Sequence, residues 1–130
     1  MSDFRVEVAV RPEFPDPIGR GVLADIRALG IQSVRDVRVV DVYLVSGDLG
    51  AGQMEAAALG LLADPINQYC AVDRPVAPPR GGEFCAVQVF PKPGVMDPVA
   101  ASAVKGIADA VGVRPAGVRT GRKYLLYGSP

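Results

Sequence analysis

The chain repeats itself. Asp97-Pro98 stands 97 − 16 = 81 residues beyond Asp16-Pro17. The same shift, without a gap, carries Val6 to Val87, Val8 to Val89, Pro12 to Pro93, Ile26 to Ile107, Val37-Arg38 to Val118-Arg119, Tyr43-Leu44 to Tyr124-Leu125 and Gly47 to Gly128. Arg11 matches Lys92 in charge. These positions fall in a strand pattern, a loop, a helix start, a helix core and a long strand, which is how a duplicated supersecondary unit reads. A unit of this length has a marginal core on its own. Two units that present the same self-complementary patch pair about a two-fold axis, and fusion places such a pair in one chain as a pseudo-dimer.

Local patterns define the unit. In residues 5–10, Val6, Val8 and Val10 share one face while Arg5, Glu7 and Ala9 share the other, the alternation of a half-buried strand. Residues 11–15 carry two prolines and form a loop. Asp16 is a good N-cap and Pro17 suits the first helical position. Val22, Leu23, Ile26 and Leu29 then recur at helical spacing before Gly30, giving a helix over 17–29 with one face on a sheet. Gly19 and Gly21 weaken its first turn and mark places where something comes close to the backbone. Residues 34–45 form a long strand that is apolar on both faces, with Val40, Val42 and Leu44 on one and Val37, Val39, Tyr43 and Val45 on the other. Such a strand calls for a helix layer on one side and another sheet or subunit on the other. After a glycine-rich turn at 46–52, residues 53–63 place Met54, Ala58, Leu61 and Leu62 on a second helix face. Asp64-Pro65 ends that helix, and residues 69–72 read as a short strand. The stretch 74–82 is a Pro/Gly linker.

The chain thus divides into a first repeat at 1–73, the linker at 74–82, and an incomplete second repeat at 83–130, together forming one compact unit. The second copy stops at Gly128-Ser129-Pro130, where the first begins its glycine-rich turn and second helix. Either the two copies share a sheet that makes the missing piece unnecessary, or the sequence is the front part of a longer protein. The natural interface joins residues 37–45 to residues 118–127. The fold class expected is α+β: a two-layer arrangement of antiparallel or mixed sheet with helices on one face.

Composition narrows the chemistry. There is no histidine, which removes the commonest general base, the usual nucleophile pairs and the commonest metal ligand. Cys70 and Cys85, the two cysteines, read as reduced, half-buried core thiols. The G-x-G at 50–52 lacks the Lys-Ser/Thr pair of a phosphate loop. Lys+Arg and Asp+Glu are both 14, and this zero balance weighs against a dedicated nucleic-acid binder while favouring association with a partner or a second copy. No apolar run reaches the roughly 20 residues of a membrane span, and the first residues show no secretory signal, so the expected location is cytoplasmic. The sequence points to no catalytic, cofactor-binding or metal-ligating residue.

At this point the residues resemble the PurS family. The features that carry the resemblance are Val6-x-Val8, the Pro93-Gly94-Val95-Met96-Asp97-Pro98 loop, Val37-Arg38, and a second helix closing in Leu61-Leu62-Ala63-Asp64-Pro65. The tandem order, with Asp41-Val42-Tyr43 in the first copy and Tyr124-Leu125-Leu126 in the second, is similar to the PurS-like N-terminal region of long-chain PurL proteins. In the second copy Ala100 stands where many relatives have the glycine matched by Gly19. The resemblance implies a non-catalytic component of phosphoribosylformylglycinamidine synthase, an ATP- and glutamine-dependent amidine-forming ligase of de novo purine biosynthesis. Such a component bridges a PurL-type synthetase and a PurQ-type glutaminase for ammonia transfer. It implies no cofactor in this chain, with ATP and magnesium in the partner synthetase, and neither nucleic acid nor membrane as a partner.

Candidate partner-interface residues are Arg38, Tyr43, Arg119, Lys123 and Tyr124. An arginine at matching sites, Arg38 and Arg119, suits bidentate grip on a carboxylate, although a solvated strand-edge arginine is the plainer reading. The basic run Arg114, Arg119, Arg122, Lys123 with Tyr124 and Tyr127 also fits a phosphate or RNA surface, against which stand the zero net charge and a simple solvated strand face. The alternative function is a ferredoxin-like regulatory module that binds a small metabolite between the repeats, with Gly19, Gly21, Gly50 and Gly52 as close-approach positions.

Overall fold

The computed structural model of the protein describes residues 2–92 and 94–128; Met1, Pro93 of the Pro93-Gly94 loop, and Ser129-Pro130 lie outside the described residues. In chain order the elements are β1 (Ser2–Val10), α1 (Pro17–Ala28), β2 (Val34–Gly47), α2 (Ala51–Ala57), a π-helical turn (Ala58–Leu62), β3 (Gln68–Val72), β4 (Phe84–Val89), α3 (Pro98–Val111) and β5 (Gly117–Gly128). The result is an α+β fold. Among the described residues, five strands form one sheet in the order β3-β1-β2-β5-β4, with every neighbouring pair antiparallel.

The two Asp-Pro pairs explain how helices attach to this sheet. Asp16 caps α1 with one carboxylate oxygen, which accepts from the Gly19 amide at 3.1 Å. Its second oxygen accepts from the Val39 amide on β2 at 2.8 Å. Asp97 repeats the device: it accepts from the Ala100 amide of α3 at 3.0 Å and from the Thr120 amide of β5 at 3.1 Å. The Thr120 hydroxyl donates to both Asp97 oxygens, at 2.9 and 2.8 Å. One side chain therefore satisfies an orphan helix donor and a free strand donor together. Proline at the first helical position suits both starts, since its missing N–H was unpaired anyway.

Gly19 has a structural reason of its own. A Cβ there would sit 2.1 Å from the Val37 carbonyl oxygen, so the first turn of α1 lies directly on the backbone of β2. The close approach expected at this glycine is thus made by the chain itself. The far end of α1 departs from expectation. Val22, Leu23 and Ile26 are only half-buried, and Leu29, expected on the buried face, is 79% exposed. Gly30 ends the helix at a φ of 87°, where glycine costs least. The second helical stretch runs from Ala51 to Leu62 but changes character midway: α2 ends at Ala57, and the Ala63 amide donates back to Ala58 in a π-helical turn.

Two apolar layers sandwich the sheet. On one face Val6 and Val8 of β1, Val45 of β2 and Val72 of β3 pack with Met54, Ala57 and Ala58 from the second helical segment and Ile107 from α3. On the other face Ala9, Val40, Ala71, Leu125 and Tyr127 pack around Val76. Two expectations change here. β1 is buried on both faces, because Val6, Glu7, Val8 and Ala9 are all enclosed. On the second face of β2, Val76 of the stretch 74–82 packs against Val40, so part of that face is covered by the connecting segment. That stretch is packed, with Arg80 donating to the Pro12 carbonyl at 2.8 Å and pairing with Asp36 at 3.4 Å. Cys70 is half-buried, whereas Cys85 is exposed on β4, contrary to its reading as a core thiol; both are free.

Asp16 is nearly inaccessible while Asp97 is half-buried. Asp16→Ala leaves two amides without acceptors and is expected to cost about 2–3 kcal/mol. Asp97→Ala, where water replaces part of the loss, is expected to cost about 1 kcal/mol. Urea unfolding of the two variants checks the order.

Candidate partner interface

The five candidate residues do not form one surface. Alternation along β2 and β5 sends Tyr43 and Tyr124 to the face that carries α2 and α3, and Arg38, Arg119 and Lys123 to the opposite face. Arg38 is not on the surface at all. It is 3% exposed, and its guanidinium donates to the carbonyls of Phe14 at 2.9 Å, Val10 at 3.2 Å and Arg11 at 3.1 Å. Its role is to hold the loop between β1 and α1 against β2, so neither a grip on a partner carboxylate nor a solvated strand-edge arginine describes it.

On the helical face, Tyr43 and Tyr124 flank the centre of the β2–β5 ladder, where Asp41 stands opposite Arg122. The Arg122 Nε lies 3.6 Å from an Asp41 oxygen. Burial pushes the Asp41 carboxyl up, with Arg122 opposing and Asp16 adding to the rise. The Tyr43 hydroxyl is raised by burial and by the carboxylates of Asp41 and Asp97. These groups line a cavity of about 440 Å³ whose wall continues through Val89 to Val99 at the start of α3. Of the four glycines, Gly19 meets β2 and Gly50 is the N-cap of α2, while nothing lies within 4 Å of a Cβ placed at Gly21 or Gly52.

The opposite face holds a charged centre that pattern reading passed over. Glu7, 1% exposed, accepts two hydrogen bonds from the Lys123 ammonium at 2.7 and 2.9 Å. Arg5 donates to the same carboxylate at 3.0 and 2.9 Å, and the Val76 amide adds a bond at 3.2 Å. Arg5 also donates to Gln88 on β4. The network thus reaches across β1, β2, β5 and β4 and ties the 74–82 stretch to the sheet. Burial alone would push the Glu7 carboxyl up. The bonds from Lys123, Arg5 and Val76 outweigh it and hold the group below its ordinary value. A single glutamate between Val6 and Val8 was the available signal, with Gln88 at its counterpart.

Of the basic run, Lys123 is therefore committed to Glu7 and Arg122 faces Asp41, on opposite sides of the sheet. Arg119 is exposed and sits 5.4 Å from the centre of the Phe90 ring. It lines a groove of about 600 Å³ with Asp3, Arg5 and Asp73 at the end of the sheet. Signs alternate there, which suits a protein rim better than a polyanion. Among the described residues, no group of three or more His, Cys, Asp or Glu could hold a metal ion. Among the described residues, no helix is long and apolar enough to cross a membrane.

A family model described as PurS, phosphoribosylformylglycinamidine (FGAM) synthase, matches residues 3–73. The match ends where the 74–82 stretch begins. Among solved structures the chain is similar to PurS of B. subtilis in its C2 crystal form, with a TM-score of 0.51 at 19% identity. The alignment covers 96% of that chain and 56% of this one, so one whole PurS chain corresponds to little more than half of this protein. No curated protein matches.

Because Glu7 has a lowered pKa in the folded chain, the unfolded chain binds more protons as pH falls. The stability that Glu7 supplies is complete above its ordinary value of 4.5 and is lost as pH drops through the folded value. Glu7→Gln is expected to cost about 3 kcal/mol at about pH 7, by leaving Lys123 without its counter-charge. The gap from the unaltered chain should narrow below about pH 4 in urea titrations.

Proposed function

The chain belongs to the PurS family of phosphoribosylformylglycinamidine (FGAM) synthase, and from that premise we propose that it is the non-catalytic assembly component of that enzyme, acting in the cytoplasm. In this role it bridges a PurL-type synthetase, which activates the substrate amide with ATP and magnesium, and a PurQ-type glutaminase, which supplies ammonia. The chain itself binds neither ATP nor metal; it keeps the two active sites in register so that ammonia passes between them. The family match over residues 3–73 carries this reading.

We further propose that residues 83–128 are a second PurS-like copy, so that one chain does what two separate subunits would do. Several observations support it. The β1–β2 pair Asp3↔Ser46 and the β4–β5 pair Phe84↔Tyr127 differ by the same 81-residue shift that relates the sequence repeats. The β2–β5 ladder sets Asp41 opposite Arg122, its own counterpart under that shift, as pairing about a two-fold axis requires. Both Asp-Pro caps bind a helix amide and a strand amide at matching positions. Surfaces for partners remain on both sides of the sheet: the groove around Arg119 on one and the cleft around Tyr43 and Tyr124 on the other.

A regulatory module with a metabolite in the cleft between the copies is the second reading, and the 440 Å³ cavity is the observation in its favour.

Co-expression with the synthetase and glutaminase of the same genome is expected to give one co-eluting complex. Omitting the chain should depress glutamine-dependent FGAM formation and spare the ammonia-dependent reaction. Glutamine-dependent turnover that is indifferent to the chain would refute the bridging role. Tight ATP binding by the isolated chain in calorimetry would do the same, and a metabolite that raises its melting temperature would favour the regulatory reading.

A further inference from the structure

The two outer edges of the sheet are treated differently, and the difference exposes a site. At one end β3 pairs with β1, setting Val6 against Val72 and Val8 against Cys70. The second helical segment then covers the same residues through Met54, Ala57 and Ala58. At the other end β4 stands where β1 stands, but among the described residues no strand pairs with its outer edge. Val6 and Val8 are 0% and 1% exposed, whereas their counterparts Val87 and Val89 are 43% and 54% exposed. The neighbouring helices differ likewise: Ile107 of α3 is fully buried, and its counterpart Ile26 of α1 is only half-buried. Every residue of β4 is exposed, and Phe84-Cys85-Ala86-Val87-Gln88-Val89 contains no charge or proline. Natural sheet edges open to water are usually guarded by one or the other.

We propose that β4 and the adjoining side of α1 form a docking site for an amphipathic helix followed by a short strand, supplied by a partner polypeptide. The chain's own α2–β3 segment, seated on the equivalent edge, defines that chemistry: a helix with an apolar, small-residue face, then a strand that adds to the sheet by backbone pairing. One feature of the ligand must differ. Where the π-helical turn meets α3, Leu61 Cδ2 lies 2.8 Å from where a Cβ on Gly106 would sit. The counterpart of Gly106 is Asp25, exposed on α1. The incoming helix therefore carries a lysine or arginine at the position that Leu61 occupies. The site rests on the duplication reading given above, and it would supply one contact surface for the assembly.

The probe is a synthetic peptide of residues 50–73 of this chain, and the same peptide with Leu61→Lys, titrated into the 130-residue chain by NMR. Both peptides should bind and slow amide exchange in β4 by at least about tenfold. The Leu61→Lys peptide should bind up to about fivefold tighter, as a surface ion pair permits. Val87→Lys in the protein, an exposed position that leaves the core intact, should abolish binding of both. Absence of binding at about 1 mM peptide overturns the site. So does protection that appears at β1, where the peptide would merely exchange with the chain's own segment, and so does β4 protection from self-association without peptide. A chain that assembles with synthetase and glutaminase but ignores both peptides loses this site and keeps its assembly role. A chain that binds them but forms no complex keeps the site and loses the role.

Discussion

The pairing of β2 with β5 holds the molecule together. The two long strands run antiparallel from Val37↔Leu126 to Ser46↔Gly117, with Val37, Val40, Val42 and Val45 almost fully enclosed. Each is the strand to which its own half fastens everything else: Asp16 ties α1 to the Val39 amide, and Asp97 ties α3 to the Thr120 amide. Separated, either half would expose a long, apolar strand edge with unpaired backbone groups. Joined, the two edges satisfy each other and create the sheet on which both layers of the core are built.

With residues 83–128 as the second copy proposed above, placing both in one chain would permit what two identical subunits could not do. A symmetric pair must present the same side chain at both equivalent positions. Here the counterpart of Val42 is Lys123, and the counterpart of Glu7 is Gln88. Lys123 can therefore reach Glu7 across β2, and Arg5 can contact both Glu7 and Gln88. A symmetric version would bury two glutamates and no lysine. Breaking the symmetry converts that repulsion into a satisfied network, and the network in turn anchors the 74–82 stretch through the Val76 amide. Buried ion pairs are a weak source of stability but a good means of specifying a single arrangement. Here that arrangement includes which way the connecting segment crosses the sheet.

The same asymmetry shapes the surfaces. At one end β3 and the second helical segment cover β1; at the other, β4 lies without such cover. Exposed surface of distinct character thus lies along β4, in the central cleft around Tyr43 and Tyr124, and at the end of the sheet around Arg119. The bridging role proposed above would call for separate surfaces of this kind, each with its own chemistry: apolar and backbone-rich at the edge, mixed in charge around Arg119.

Most elements were legible before any coordinates, because they depend on short-range signals. Asp16-Pro17 and Asp97-Pro98 announce helix starts through capping chemistry, alternating valines announce strands, and the ungapped repeat announces that the two long strands are equivalent. What could not be read locally depends on side chains far apart in sequence. The destination of the Arg38 guanidinium is set by three carbonyls at 10, 11 and 14, and the burial of Glu7 by Lys123, more than a hundred residues away. The packed course of residues 74–82 was hidden because proline and glycine composition reports stiffness and turns, not what a segment lies upon. Sequence by itself determined the 81-residue recurrence of motifs, the caps and the strand faces, all properties of neighbouring residues and their period. Tertiary structure alone decided which charges are interior and which end of the sheet is left uncovered, since burial is a property of the whole fold and not of any window along the chain.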